Sequence, residues 1–128
     1  MKTQVVQNSD LHFEHKQWEN ELLFWRDEIK TFQNRLDELV VRWTDKDVLK
    51  KLDYFQNSFI IHNNKIDVFI DQIQSHEHNI FKHYELHEDA LDRIYFKKHL
   101  EFRDKIETQR HMYNDLKKEF FVFLTKYM

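Results

Sequence analysis

The residues in this chain with the most chemical potential are its histidines. There are nine of them and no cysteine, which excludes thiolate metal sites, disulfides and a cysteine nucleophile. Without a single glycine, no phosphate-cradling Gly-rich loop can form. Ser9, Ser58 and Ser75 sit in no nucleophile motif, and the Glu-x-x-His pattern of di-iron carboxylate bundles is missing. Three histidines, His15, His76 and His99, are unusual because each interrupts a run of regularly spaced apolar residues.

Those runs step by alternate threes and fours. The first passes from Leu11 through His15, Trp18, Leu22, Trp25 and Ile29 to Trp43; the second from Val48 through Phe55, Phe59, His62, Phe69 and His76 to His83; the third from Tyr95 through His99, Phe102, Ile106 and Tyr113 to Tyr127. A mean step of 3.5 keeps one stripe of a helix facing its neighbours, so these are the a and d seams of coiled-coil-like helices. Glycine and proline are both absent from all 128 residues, and β or α/β folds rely on them at turns and strand ends. The expectation is a single-domain, all-α protein: an up-down-up antiparallel three-helix bundle with helices of about 35 residues, each roughly 50 Å long.

Helix boundaries follow from polar punctuation. Helix 1 is expected over 10–43, capped by Asn8, Ser9 or Asp10; helix 2 over 45–84, starting from a capping-box-like Thr44 and Asp47; helix 3 over 89–127, with Asp89 as N-cap after a turn at Glu85 to Glu88. Folding the first hairpin pairs Leu39 with Leu52 and Phe32 with Phe59, and folding the second pairs Phe55 with Phe120 and Ile73 with Phe102. A one-heptad slip in the second hairpin would preserve the same alternation.

In this register His15, His76 and His99 fall in one layer, one from each helix. Three neutral imidazoles converging from separate elements match the His₃ arrangement that binds Zn²⁺ or another divalent transition ion, with the fourth position left to water, His12 or Glu14. Glu14 and Glu77 flank the layer and could orient ring N–H groups. Seven of the histidines, His12, His15, His76, His78, His83, His87 and His99, collect at the same end. The competing reading is a polar layer that fixes helix register without binding anything. His62, by contrast, lies mid-bundle and is expected to be a structural residue hydrogen-bonded to Tyr113.

A second apolar stripe, Tyr54, Ile61 and Val68 at heptad spacing with Ile60 beside it, would face outward from an isolated bundle. Phe24, Phe121, Val122 and Leu124 add to that excess. Such a stripe predicts self-association or binding of another helical protein. Twenty Lys and Arg against twenty-three Asp and Glu, mixed in every segment, give a net charge of −3, which offers no basic surface for nucleic acid. Charged runs such as Lys46 to Lys51 and Arg103 to Arg110 read as solvated faces. No apolar stretch of about 18 residues occurs, so the expectation is a soluble, cytoplasmic protein without membrane insertion. Two functional readings follow: a non-enzymatic interaction or scaffold bundle, and a transition-metal-binding bundle, with any catalysis confined to the metal.

Overall fold

With no glycine or proline to break them, the three seam-bearing segments run as uninterrupted helices. A computed structural model describes residues 8–86 and 90–128, with side chains described for 11–79 and 96–128. Helix α1 spans Asn8–Arg42, α2 spans Lys46–Leu86 and α3 spans Ala90–Tyr127, in an up-down-up bundle with no strand among the described residues. Helix α1 starts two residues before the expected position, and α2 continues two residues beyond its expected end into the segment read as a turn. Asp89, the expected cap of α3, lies outside the described residues together with His87, and the side chain of His83 does too. No helix among the described residues is long and apolar enough to cross a membrane.

The first connection corrects one expectation. Asp45 caps α2, not Thr44: its Oδ1 accepts hydrogen bonds from the backbone N–H groups of Asp47 (2.8 Å) and Val48 (3.3 Å). These are the second and third amides of the helix, the ones a cap side chain reaches. One residue further upstream, Thr44 is left outside the helix start. The carboxylate also places negative charge at the positive end of the helix dipole.

The core follows the seams. Leu22, Ile29, Leu36, Leu39, Leu52, Phe59, Ile66, Ile106, Tyr113 and Phe120 are sealed from solvent. Two of the expected cross-helix pairs are in ring contact, with centroids of Phe32 and Phe59 at 5.4 Å and of Phe55 and Phe120 at 5.2 Å. On α2 the seam broadens: Phe69 is half-buried and its neighbour Ile70 is buried. Leu124, counted among the outward apolar residues, packs against the core instead, whereas Phe24, Phe121 and Val122 stay exposed.

Helix α3 is set against α1 by constant sequence offsets. His15 contacts His99 and Trp43 contacts Tyr127 at an offset of 84, a whole number of heptads. Along the flank, Arg103 pairs with Glu14, Arg110 with Glu21 and Lys117 with Glu28, all at an offset of 89. Identical offsets repeated over successive heptads mean that α1 and α3 run parallel and in step, without the heptad slip. The expectation that Arg103 to Arg110 is simply a solvated run is corrected here. Arg103 and Arg110 are half-buried and grip their glutamates with two hydrogen bonds each, at 2.7 and 2.9 Å. The periodicity of α3 turns these two residues, seven apart, toward α1, while Asp104, Lys105, Glu107 and Thr108 between them face water and Ile106 and Gln109 are buried.

Phe59 has no exposed surface and contacts rings from both other helices. Phe59→Ala should therefore cost about 3 to 5 kcal/mol in urea unfolding; a loss below about 1 kcal/mol would contradict this packing.

Candidate metal centre

Each helix delivers one imidazole to a common layer near the His-rich end. His15 on α1 and His99 on α3 are buried and His76 on α2 is half-buried. The ring centroids lie 4.9 Å apart for His15 and His99, 5.1 Å for His15 and His76, and 5.8 Å for His76 and His99. One nitrogen from each ring lies within 4.8 Å of the other two. Trp18 forms the floor, stacked on His99 at 4.8 Å and tilted against His15 at 5.7 Å. His76 also lines two adjoining surface depressions together with Gln72 and Lys98, which makes it the ring nearest to solvent.

The outer edges of two rings are held by carboxylates. His15 donates Nδ1–H to Glu77 Oε1 at 3.0 Å, and His99 donates Nε2–H to Glu14 Oε1 at 2.6 Å. Both carboxylates act as acceptors. For Glu14, burial works to raise its pKa, but the hydrogen bonds from Arg103 and His99 outweigh it and hold it below the ordinary value. Glu77 is likewise held down, against the effect of burial, by its bonds to His15 and His12. With each outer N–H committed to an ionised carboxylate, neutral rings direct the lone pairs of His15 Nε2 and His99 Nδ1 at each other across 3.1 Å. Two lone pairs at that distance repel. A cation between them, whether a shared proton or a metal ion, makes the arrangement attractive.

The separation fits a metal. Nitrogens about 2.0–2.1 Å from a tetrahedral zinc are about 3.3 Å apart, close to the observed 3.1 Å. The remaining nitrogen, from His76, lies within 4.8 Å of the other two. Protonation is disfavoured at two of the rings: burial lowers the pKa of His99, opposed in part by its Glu14 bond, and burial together with the two neighbouring histidines takes His76 down to about 4.

The other sequence candidates sit around this layer. Glu14 Oε1 and Oε2 are taken by Arg103 and His99, so its position is that of an orienting partner. His12 is exposed and reaches Glu77 Oε1 at 2.9 Å, on the outer side of that carboxylate. His78 is exposed. Arg103 was not singled out from the sequence, and the signal that could have found it is its seven-residue spacing from Arg110, matching Glu14 and Glu21.

His62 is buried and does not join the layer. Its expected hydrogen bond to Tyr113 is not formed: Gln109 Nε2 donates to His62 Nδ1 at 2.7 Å, and the Tyr113 hydroxyl donates outward to Glu28 at 3.0 Å. The Tyr113 ring still packs on His62 at 6.0 Å, but the phenol is long enough to reach past it, and Gln109, one turn earlier on α3, takes the partner position. Tyr54, Ile60, Ile61 and Val68 all lie exposed on α2, and Val68 shares a surface depression with His76. No family model matches this chain, and neither a curated protein nor a solved structure is found to be similar to it. Fold and site together define an all-α bundle with a buried, carboxylate-braced histidine layer.

The lowered histidines make stability depend on pH. Between the ordinary value of 6.5 and about 4, the unfolded chain takes up a proton at His76 that the folded chain does not, so this contribution is present in full above 6.5 and is lost as pH falls through that window. His62 and His99 act in the same direction. In chelator, the urea midpoint should fall from pH 7 to pH 5, and His76→Gln should make the fall shallower. A flat or rising midpoint would contradict the burial of neutral imidazoles.

Proposed function

We propose that this protein is a metal-binding helical bundle that holds one divalent transition ion, most naturally Zn²⁺, through His15, His76 and His99. The observation that carries this reading is the pair of inward ring nitrogens 3.1 Å apart, on rings whose outer nitrogens are each held by a carboxylate, Glu77 or Glu14. Carboxylate–histidine–metal triads use this same order, in which the carboxylate selects the tautomer and raises the basicity of the coordinating nitrogen. The charge balance agrees: Glu14 and Glu77 bring two negative charges, and Arg103 brings one positive charge to Glu14. The net negative charge that remains attracts a cation.

The ion would act as a pin. Its ligands come one from each helix, so binding joins α1, α2 and α3 near the end remote from the Asp45 turn, where no short covalent connection holds α1 to α3. A three-histidine set leaves a fourth position for water or a small ligand, and a bound ion would act there as a Lewis acid. His15 and His99 pack against Trp18 and each other, an arrangement that favours retention of an ion over turnover of a substrate. The interaction reading concerns a different surface, the exposed stripe of α2.

An ion that binds only the folded state stabilises it by mass action, by about 2.7 kcal/mol at a concentration one hundred times Kd. Zinc added to chelator-stripped protein at pH 7.5 should therefore raise Tm by roughly 10 °C. His76→Ala should abolish the gain, whereas His111→Ala, which alters an exposed residue of α3, should leave it intact. If stripped and zinc-loaded proteins melt alike, or the two variants respond alike, the layer is a structural polar core and not a metal site.

The bracing carboxylate gives an independent check. Glu14→Gln keeps the shape but removes the charge that orients His99, and should weaken zinc binding about 10- to 100-fold by competition with a chromophoric chelator. An unchanged affinity would remove Glu14 from the site.

A further inference from the structure

The outward face of α2 has a pattern that fits a second copy of itself. Tyr54, Ile61 and Val68 recur every seven residues and are 49%, 56% and 52% exposed, with Ile60 alongside at 49%. The stripe is symmetric about Ile61, since Tyr54 and Val68 lie seven residues to either side. Beside it runs a row of exposed polar residues, Lys50, Asn57, Asn64 and Asp71, also at heptad spacing, positive at one end and negative at the other.

We propose that the protein forms a two-fold symmetric dimer in which α2 packs antiparallel against α2 of a second copy, with Ile61 on the axis. A two-fold interface is isologous, so each contact occurs twice. In this arrangement Tyr54 lies opposite Val68 of the partner subunit and Ile61 opposite the partner's Ile61. Along the flank, Lys50 faces the partner's Asp71 and Asn57 faces the partner's Asn64. Further round the same flank Asp53 lies toward the partner's Asp67, but Asp67 is held by Arg26 at 3.0 Å, which offsets the like charge; the opposite flank carries Lys51, Ser58 and Lys65. A parallel, in-register pairing would instead set Lys50 beside its own copy and Asp71 beside its own. Charge therefore selects the antiparallel form. The apolar stripe, about 21 Å from Tyr54 to Val68 at about 1.5 Å per residue, supplies the contact.

Because the chain has no cysteine, a single introduced thiol reports the geometry without interference. Ile61→Cys should oxidise to a covalent dimer, whereas Val41→Cys, on an exposed part of α1, should not. By sedimentation at micromolar concentration, the wild type should be dimeric and Ile61→Lys should raise the dimer Kd about a hundredfold, through burial of unpaired charge. Lys50→Asp and Asp71→Lys should each weaken the dimer about tenfold, from two symmetric contacts turned repulsive, and the double variant should recover most of the loss. A monomeric wild type at one hundred times that concentration overturns the dimer, and leaves the stripe bare or to a different partner. A dimer weakened by Ile61→Lys, but neither cross-linked through residue 61 nor rescued by the charge exchange, overturns the antiparallel geometry while retaining the face. Metal binding is scored separately, by zinc titration of each variant, because Val68 and Asp71 share a surface depression with His76.

Discussion

The pairing of α1 with α3 is the interaction on which the histidine end depends, because the chain joins those helices only by way of α2. The turn capped by Asp45 is short enough to fix α2 against α1 by chain geometry alone. Helix α3 must find its level through side chains. The three ion pairs to Glu14, Glu21 and Glu28 help, but partly exposed pairs contribute at most about 1 kcal/mol each, and a slip of one heptad would still keep two of them. The stronger constraint is buried polarity. A slip in one direction brings His99 to the level of Leu22, and a slip in the other brings His15 to the level of Ile106, each time burying an imidazole against an apolar residue. The His62–Gln109 pair, sealed in mid-bundle, imposes the same condition a second time on α2 and α3.

Register then becomes chemistry through the two carboxylates. Without Glu14 and Glu77, His15 and His99 could each choose a tautomer and satisfy one another with a single N–H. With the carboxylates in place, both outer nitrogens face acceptors, and the inner pair is left to share one cation, a proton or a metal ion. Arg103 contributes from one step further out: by gripping both oxygens of Glu14 it fixes the plane of the carboxylate that His99 meets. The layer is thus polar in a directed way. His76 completes the set from α2, and its burial keeps it neutral and able to coordinate near neutral pH.

Much of this was legible in the sequence, for a physical reason. A seam repeat of 3.5 residues, sustained through three segments without glycine or proline, leaves few ways to fold, and the layer arithmetic then places His15, His76 and His99 together. What was not legible depends on how far side chains reach. Asp45 rather than Thr44 caps α2 because the cap is chosen by which oxygen meets the second and third amides. Gln109 rather than Tyr113 bonds His62 because a phenol in the same layer extends past the imidazole to Glu28. Arg103 and Arg110 read as surface charge in one dimension, and they become structural only once α3 lies parallel to α1. Glu14, a candidate ligand in the sequence, is committed to Arg103 and His99 for the same reason.

The central claim is that the inward lone pairs of this layer receive a metal ion, and the coordination shell tests it most directly. Zinc-edge X-ray absorption on the stoichiometric complex should show a low-coordinate first shell of nitrogen and oxygen at about 2.0–2.1 Å, with the outer-shell scattering of three imidazole rings. It should lose one ring's contribution in His99→Ala. An oxygen-only six-coordinate shell, or a spectrum with a single imidazole that His99→Ala leaves unchanged, would place the ion elsewhere on the protein and contradict the account.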